Sequence, residues 1–148
     1  MYKAAAAFLR CNAGNAALET ALAAPVALSL MVGCVEFGRA LQDYLAAEKT
    51  VRSAARHLAR VPAAAVDGWG LTQARNLALT GTIDGSGPYV ISSWQNVDSV
   101  VLTHAPTSAA PKVSLTATVP LRFDLLAYVG LPTQITLTVS HEERHVGE

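Results

Sequence analysis

The sequence predicts an α+β fold, in which one long N-terminal helix crosses a membrane and is followed by a small helix and a three- to four-stranded antiparallel sheet. Two observations predict this class. Between Arg10 and Glu36 only Glu19 is charged, and at about 1.5 Å rise per residue such a stretch is long enough to cross a hydrocarbon core of about 30 Å. After Pro88, apolar residues alternate with polar ones, which is typical of strands with one buried face.

The N-terminal helix is expected to continue well beyond the membrane. Its second part has apolar residues at spacings of three, four or seven, and no Pro or Gly stands between Gly38 and Pro62. This periodicity is typical of an amphipathic helix. We therefore expect one helix over residues 15–61, with residues 15–36 in the membrane and residues 37–61 outside it.

Residues 62–148 are predicted to form a small α+β domain. The Ala-rich segment 63–80 predicts a second helix with Gly81 at its C-terminal end, because Gly readily adopts the backbone conformation that ends helices. The apolar segment 123–132 predicts either a short helix packed on the sheet or an exposed patch that contacts another subunit or the membrane surface. Alternating patterns predict strands at residues 97–104, 112–121 and 135–140. Residues 89–94 are a possible first strand, but edge pairing or a loop agrees equally well with their sequence.

The charges give the expected orientation and exclude one class of partner. The formal net charge is zero and only 15% of the residues are charged, so no nucleic-acid-binding surface is expected. Lys3 and Arg10 precede the apolar stretch, which predicts a cytoplasmic N terminus and a periplasmic C-terminal domain by the positive-inside rule. Arg52, Arg56 and Arg60 form a row at i, i+4 spacing. This row is either a solvated helix face or a subunit contact for an acidic neighbour.

One motif near the C terminus has the spacing of a zinc site. The segment His141-Glu142-Glu143-Arg144-His145 matches His-Glu-x-x-His, but two His four residues apart can share one zinc ion only on a helix. Here the motif directly follows a strand pattern, and in a strand the two His would lie about 13 Å apart at about 3.3 Å per residue. We therefore expect a solvated polar tail, no metal, no cofactor and no enzymatic activity.

The apolar helix carries features of a known processing signal. Cleavage after Gly14 would make Asn15 the first residue of the mature chain and Glu19 its fifth. This arrangement resembles the class III signal of type IV pilins and pseudopilins. The residues that follow in order and spacing make the chain similar to the TadE-like minor pseudopilins of tight-adherence (Flp) pilus systems. The resemblance rests on Gly14, Leu18-Glu19, Pro25 and Glu36-Phe37-Gly38-Arg39.

The resemblance implies a pilin-like fold and a role in pilus assembly. A prepilin peptidase would remove the leader, residues 1–14, and Glu19 would neutralise the free amine of Asn15 in the same or a neighbouring subunit. Pro25 would kink or locally melt the helix, because it removes one backbone hydrogen bond. The protein would then be a minor pilin or pseudopilin of the inner membrane that takes part in priming, capping or export of a tight-adherence type IV pilus, which serves cell adhesion. Its partners would be the major Flp pilin, other minor pilins, the inner-membrane assembly platform and membrane lipid.

Two other processing schemes are open. Met31-Val32-Gly33-Cys34 is close to a lipobox, in which cleavage before Cys34 would leave a lipidated protein. An uncut signal anchor is also possible, with Glu19 reaching back to the membrane interface. Either scheme would give a lipid- or helix-anchored periplasmic scaffold or binding module that forms no filament. The mature N terminus distinguishes these alternatives.

Overall fold

The structure, a computed structural model, describes residues 12–107, 111–125, 127, 130 and 133–147. It contains a long apolar helix, a short second helix and a three-stranded antiparallel sheet, so the predicted α+β class is confirmed. The predicted leader lies largely outside the described residues. The elements, in chain order, are α1 (Asn12–Leu58), α2 (Leu71–Thr80), β1 (Val100–His104), β2 (Lys112–Arg122) and β3 (Gln134–Arg144).

Helix α1 has an uncovered half and a half that carries the domain. It is 47 residues long, about 70 Å at the rise of an α-helix. No residue from 16 to 35 is buried, whereas from Glu36 onward one face is covered by the domain. The helix is continuous through Pro25, without the local melting that the sequence also allowed. It ends at Leu58 because the next turn tightens, with the N–H of Val61 donating to the carbonyl of Leu58.

The connection between α1 and α2 differs from the predicted helix over residues 63–80. Only α2 is regular helix, and it ends at Gly81, whose positive φ of 73° confirms the predicted C-terminal cap. Before α2 the chain makes a short turn and then an irregular one, in which Gly68 leaves the helical backbone region. Gly70 packs closely there, since a Cβ at this position would lie 2.8 Å from Cγ1 of Val61. A larger residue at this position would carry a side chain into that contact.

The sheet has the strand order β1-β2-β3, with both pairs antiparallel. The alternation predicted for β2 is confirmed, because every second side chain is buried: Val113, Leu115, Ala117, Val119 and Leu121. Of the alternatives for residues 89–94, a strand or a loop, the structure shows the loop. This segment forms turns, and the N–H of Val90 donates to the carbonyl of Leu79. The turns place Ile91 and Trp94 in the core, which explains why apolar residues occur here without a strand.

The sheet lies along α1 with its two ends at different levels of the helix. At one end, the N–H of Leu125, just after β2, donates to the Glu36 carboxylate over 2.8 Å. At the other end, His145, just after β3, approaches Val61 just after α1. Strand β2 therefore runs antiparallel to α1 and towards the uncovered half of the helix, and β3 runs away from it. The β2–β3 connection begins at the same level as Glu36.

Candidate assembly surface

The uncovered half of α1 has the length and composition of a membrane span. Residues 16–35 make 20 residues of helix, about 30 Å, which equals the thickness of a bilayer hydrocarbon core. Glu19 is exposed within this span. The backbone of Gly14 and Asn15 is helical, and the side chain of Asn15 lies outside the described part of the chain. Asn15 and Glu19 are four residues apart on one helix, a separation of about one turn.

An exposed apolar stripe extends beyond the membrane span. Phe37 is 69% exposed, Leu41 47% and Leu45 54%, and their spacing of four residues places them on one face of α1. The domain covers a different face, on which Ala40 and Ala47 are buried. A stripe of large apolar side chains outside the membrane is unusual for a solvent-exposed helix face and marks a contact surface. The stripe continues the surface of the membrane span, so one partner helix could cover both.

Two charged residues, Arg39 and Asp43, lie near this stripe on α1. Gly38 and Arg39 are exposed, as expected for residues that stand free of the domain. Asp43 is half-buried, and burial raises the pKa of its carboxyl, while the positive charge of Arg39 acts in the opposite direction. The carboxyl of Asp43 therefore loses its proton at a higher pH than that of an exposed Asp.

Glu36 joins the membrane end of α1 to the β2–β3 connection. The side chain is only 2% exposed, and its Oε1 accepts the hydrogen bond from the N–H of Leu125. A buried carboxylate is costly unless it is hydrogen-bonded, so this contact explains how an acid is tolerated at the end of an apolar span. In the sequence, Glu36 is one of the residues that carry the resemblance to pilus-assembly proteins. The structure shows that it also holds the backbone of Leu125, 89 residues later in the chain.

Substitution of Glu36 tests its contact with Leu125. We expect Glu36→Ala to lower the free energy of unfolding by about 1–3 kcal/mol, because the N–H of Leu125 loses its acceptor. Glu36→Gln keeps an acceptor oxygen and should retain most of that stability. Thermal unfolding of the detergent-solubilised protein, followed by circular dichroism, measures both. Glu48→Ala is the matched control, since this carboxylate is exposed and its ion pair with Arg52 is worth at most about 1 kcal/mol. Equal stability of Glu36→Ala and Glu48→Ala would contradict the assigned contact.

The row of arginines is not uniform. Arg52 pairs with Glu48 over 2.7 Å, and Arg56 donates through Nε to Glu143 over 3.0 Å. Arg60 is exposed, and its side chain makes no hydrogen bond or ion pair with the described residues. The row therefore offers one cation that is unpaired within the described part of the chain. Arg56 and Arg60 also line a shallow cleft of about 200 Å³, together with Ala59, Glu143, Arg144 and Val146.

The His-Glu-x-x-His segment lies at the end of the sheet and not on a helix. His141 belongs to β3, and its Nε2 lies 3.0 Å from Oε1 of Glu143. This hydrogen bond, together with that from Arg56, lowers the pKa of the Glu143 carboxyl. The helical spacing that a zinc site needs is absent from this segment. Among the described residues, no group of three or more His, Cys, Asp or Glu side chains could hold a metal.

The prediction of a solvated polar tail is wrong. His145 is buried, and its Nε2 lies 2.8 Å from the carbonyl oxygen of Val61. Since a carbonyl only accepts, this nitrogen carries the proton. The next two backbone N–H groups donate to the carbonyl of Ala59, so the tail supplies partners for the free carbonyls at the end of α1. Only the chain's path from β3 back to α1 brings these groups together, and local sequence pattern carries no signal of that.

These features indicate a single-pass membrane anchor, with a small α+β domain built on the continuation of the same helix. One helix in the described residues is long and apolar enough to span a membrane, and it lies near the N terminus. Residues 14–56 match the model of the family described as TadE-like protein. The resemblance to TadE-like proteins of tight-adherence pili is thereby confirmed over these residues, which cover the membrane span and the apolar stripe. The match indicates a part in a tight-adherence pilus system. Searches of curated proteins and of solved structures find no match.

Proposed function

We propose that this protein is a minor pilin or pseudopilin that takes part in priming, capping or export of a tight-adherence type IV pilus. One observation carries the proposal: apolar surface runs without interruption from the membrane span into the exposed stripe of Phe37, Leu41 and Leu45. A simple anchor needs no apolar side chains beyond the bilayer. A subunit that leaves the membrane and joins a helical assembly needs apolar side chains both within and beyond the bilayer. The reason is that helices of neighbouring subunits then cover both parts of its surface.

Processing and charge pairing at the N terminus complete the proposal. A prepilin peptidase would cleave after Gly14, on the cytoplasmic side, and expose the amine of Asn15. Glu19, one helical turn away, would neutralise this amine or that of a neighbouring subunit. A charge pair in a medium of low dielectric is tolerated only when both partners are in place. The pair would therefore select one axial position of the subunit in the assembly.

The domain would face the periplasm, with the N terminus in the cytoplasm. Its partners would be the prepilin peptidase, the major Flp pilin, other minor pilins, the assembly platform of the inner membrane and membrane lipid. The proposal involves no nucleic acid, metal or cofactor and assigns no catalytic step to the protein. Arg60, whose charge has no partner among the described residues, would be the member of the arginine row that contacts an acidic neighbour.

Substitution of Glu19 tests the proposal. We expect Glu19→Ala to leave membrane insertion unchanged but to lower incorporation into pili by roughly tenfold or more. An unpaired buried charge costs about 3–5 kcal/mol, and about 1.4 kcal/mol already corresponds to tenfold in an equilibrium. Quantitative immunoblotting of sheared pili and of membranes measures both quantities in the native host. Glu48→Ala, which removes an exposed carboxylate from the same helix, should incorporate normally. Normal piliation by Glu19→Ala would refute the charge-pairing role.

The mature N terminus distinguishes the proposal from its alternatives. Intact-mass and N-terminal peptide analysis of the protein from its own membrane should give a chain that begins at Asn15. A lipid on Cys34 would instead identify a lipoprotein. A chain that still begins at Met1 would indicate a plain anchor for a periplasmic scaffold that forms no filament.

A further inference from the structure

A polar cleft of about 230 Å³ lies where β1 stops short of the end of β2. Val100, the first residue of β1, pairs with Ala117, so the last part of β2 has no strand on that side. Segment 93–99 takes the place of the missing strand. The hydroxyl of Ser93 donates to the carbonyl of Pro120 over 2.8 Å, which holds the segment beside β2. The cleft is the space between this segment and the sheet.

The floor of the polar cleft belongs to the sheet face that points away from the core. Val119 is buried, so Thr118, its neighbour along β2, points to the opposite face. On that face Pro120 pairs with Thr136 of β3, and Gln134 stands two residues before Thr136. The side chains of Thr118, Gln134 and Thr136 are exposed and make no hydrogen bond with other described residues. The floor therefore offers two hydroxyls and one amide to a ligand.

The wall of the polar cleft is held in place by its own hydrogen bonds. The indole N–H of Trp94 donates to the hydroxyl of Ser99, which in turn donates to the carbonyl of Asn96. The side-chain oxygen of Asn96 accepts from the N–H of Asp98 over 3.0 Å. Among the described residues, the amide NH₂ group of Asn96 has no acceptor. The wall thus adds a positioned donor to the free groups of the floor.

The chemistry of the lining selects an uncharged ligand that is rich in hydroxyl groups. The described residues that line the cleft carry no charge. Arg122, which pairs with Gln134, and Asp98, which precedes Ser99, flank the lining with charges of opposite sign. Hydroxyls and amides both donate and accept hydrogen bonds, as the hydroxyls of a sugar require. A protein partner is typically anchored by an accessible aromatic or Arg side chain, whereas Trp94 in this lining is 1% exposed.

We propose that the polar cleft binds one neutral sugar unit of a glycan chain. Its volume is below the range of about 300–1,000 Å³ that is typical of pockets for drug-sized ligands. The cleft therefore takes a single ring, and the rest of the chain continues over the open surface. The free side chains of Thr118, Gln134 and Thr136 exchange bound water for the hydroxyls of this ring. Binding requires neither leader cleavage nor pilus assembly, so this proposal and the pilin proposal can fail separately.

The indole signals in a nuclear magnetic resonance spectrum test the site in the full-length protein. The chain has two Trp: Trp94 lines the cleft, and Trp69 is exposed outside the lining. The isotope-labelled protein is placed in phosphatidylcholine nanodiscs, which avoids sugar-based detergents, and is titrated with cellobiose, maltose and chitobiose. We expect at least one of these neutral disaccharides to shift the indole N–H signal of Trp94 and to leave that of Trp69 unchanged.

Thr136→Val tests the assigned floor, because it removes one hydroxyl and keeps the shape of the side chain. It should weaken binding of the disaccharide that shifts the Trp94 signal by roughly tenfold, as expected for the loss of one hydrogen bond. Thr118→Val should have a similar effect. Thr72→Val is the matched control, since Thr72 is exposed on α2 and does not line the cleft. Circular dichroism checks that all three variants are folded.

Three outcomes would overturn the sugar site. The first is an unchanged Trp94 signal with all three disaccharides. The second is an equal shift of the Trp94 and Trp69 signals, which would indicate weak binding over the whole surface. The third is equal affinity of Thr136→Val and Thr72→Val for the disaccharide, which would place its binding outside the polar cleft.

Discussion

Trp94→Ala should be the most destabilising single substitution in the domain, with a loss of about 3–5 kcal/mol in the free energy of unfolding. Trp94 is 1% exposed, and its indole N–H donates to the hydroxyl of Ser99 over 2.6 Å. Truncation removes a large packed side chain and leaves a cavity that the surrounding chain fills only in part. Because small domains are stable by only about 5–15 kcal/mol, the variant should be close to unfolding at physiological temperature.

Urea or thermal unfolding followed by circular dichroism measures this loss, since tryptophan fluorescence changes with the substitution itself. Trp69→Ala is the matched control, because Trp69 is 52% exposed and its removal should change stability by less than about 1 kcal/mol. Trp94→Phe should fall between the two, since it keeps an aromatic ring but loses the hydrogen bond to Ser99. If Trp94→Ala and Trp69→Ala were equally stable, the turn segment before β1 would not be part of the core.

Leu58→Ala should cost about 2–5 kcal/mol. Leu58 is the last residue of α1 and is completely buried. Leu58 packs closely against Gly70, because a Cβ added to Gly70 would lie 3.2 Å from Cδ1 of Leu58. The loss should appear as a lower midpoint of domain unfolding and as faster proteolysis of the domain. Membrane insertion should persist, because no residue of the span from 16 to 35 is buried in the domain.

Leu45→Ala provides the control for this experiment. It is the same substitution on the same helix, at a position that is 54% exposed, and it should leave the domain's stability nearly unchanged. Equal effects of the two substitutions would mean that the domain does not pack on the end of α1. A selective loss of pilus incorporation by Leu45→Ala, with normal domain stability, would instead agree with a role of the apolar stripe in assembly.

Periodic patterns in the sequence were sufficient to predict a helix or strand wherever one face of that element is buried along its whole length. In β2, the alternation of Val113, Leu115 and Ala117 with polar residues predicted both the strand and its inward face. The turn at Gly81 was predictable for a similar local reason, because a glycine after an apolar helix pattern ends the helix. Such signals depend on a few neighbouring residues and on the geometry of a single element.

Local pattern was misleading where tertiary contacts override it. For residues 89–94 the pattern left a strand and a loop equally open, and the N–H of Val90, which donates to the carbonyl of Leu79, belongs to a segment that folds as turns. His145 looks like part of a polar tail, yet its ring donates to Val61, 84 residues earlier in the chain. The extent of such contacts depends on which elements pack together, and no single stretch of sequence contains that information.

The sequence by itself determined the membrane span, the α+β class and the resemblance of the first helix to TadE-like proteins. It could do so because hydrophobic length, periodicity and motif order are properties of contiguous residues. Only the tertiary structure decided what Glu36 does and where the chain lies as it leaves β2. The reason is that a buried carboxylate needs a hydrogen-bond partner, and the partner that satisfies it comes from a loop that the antiparallel sheet returns to the membrane end of α1.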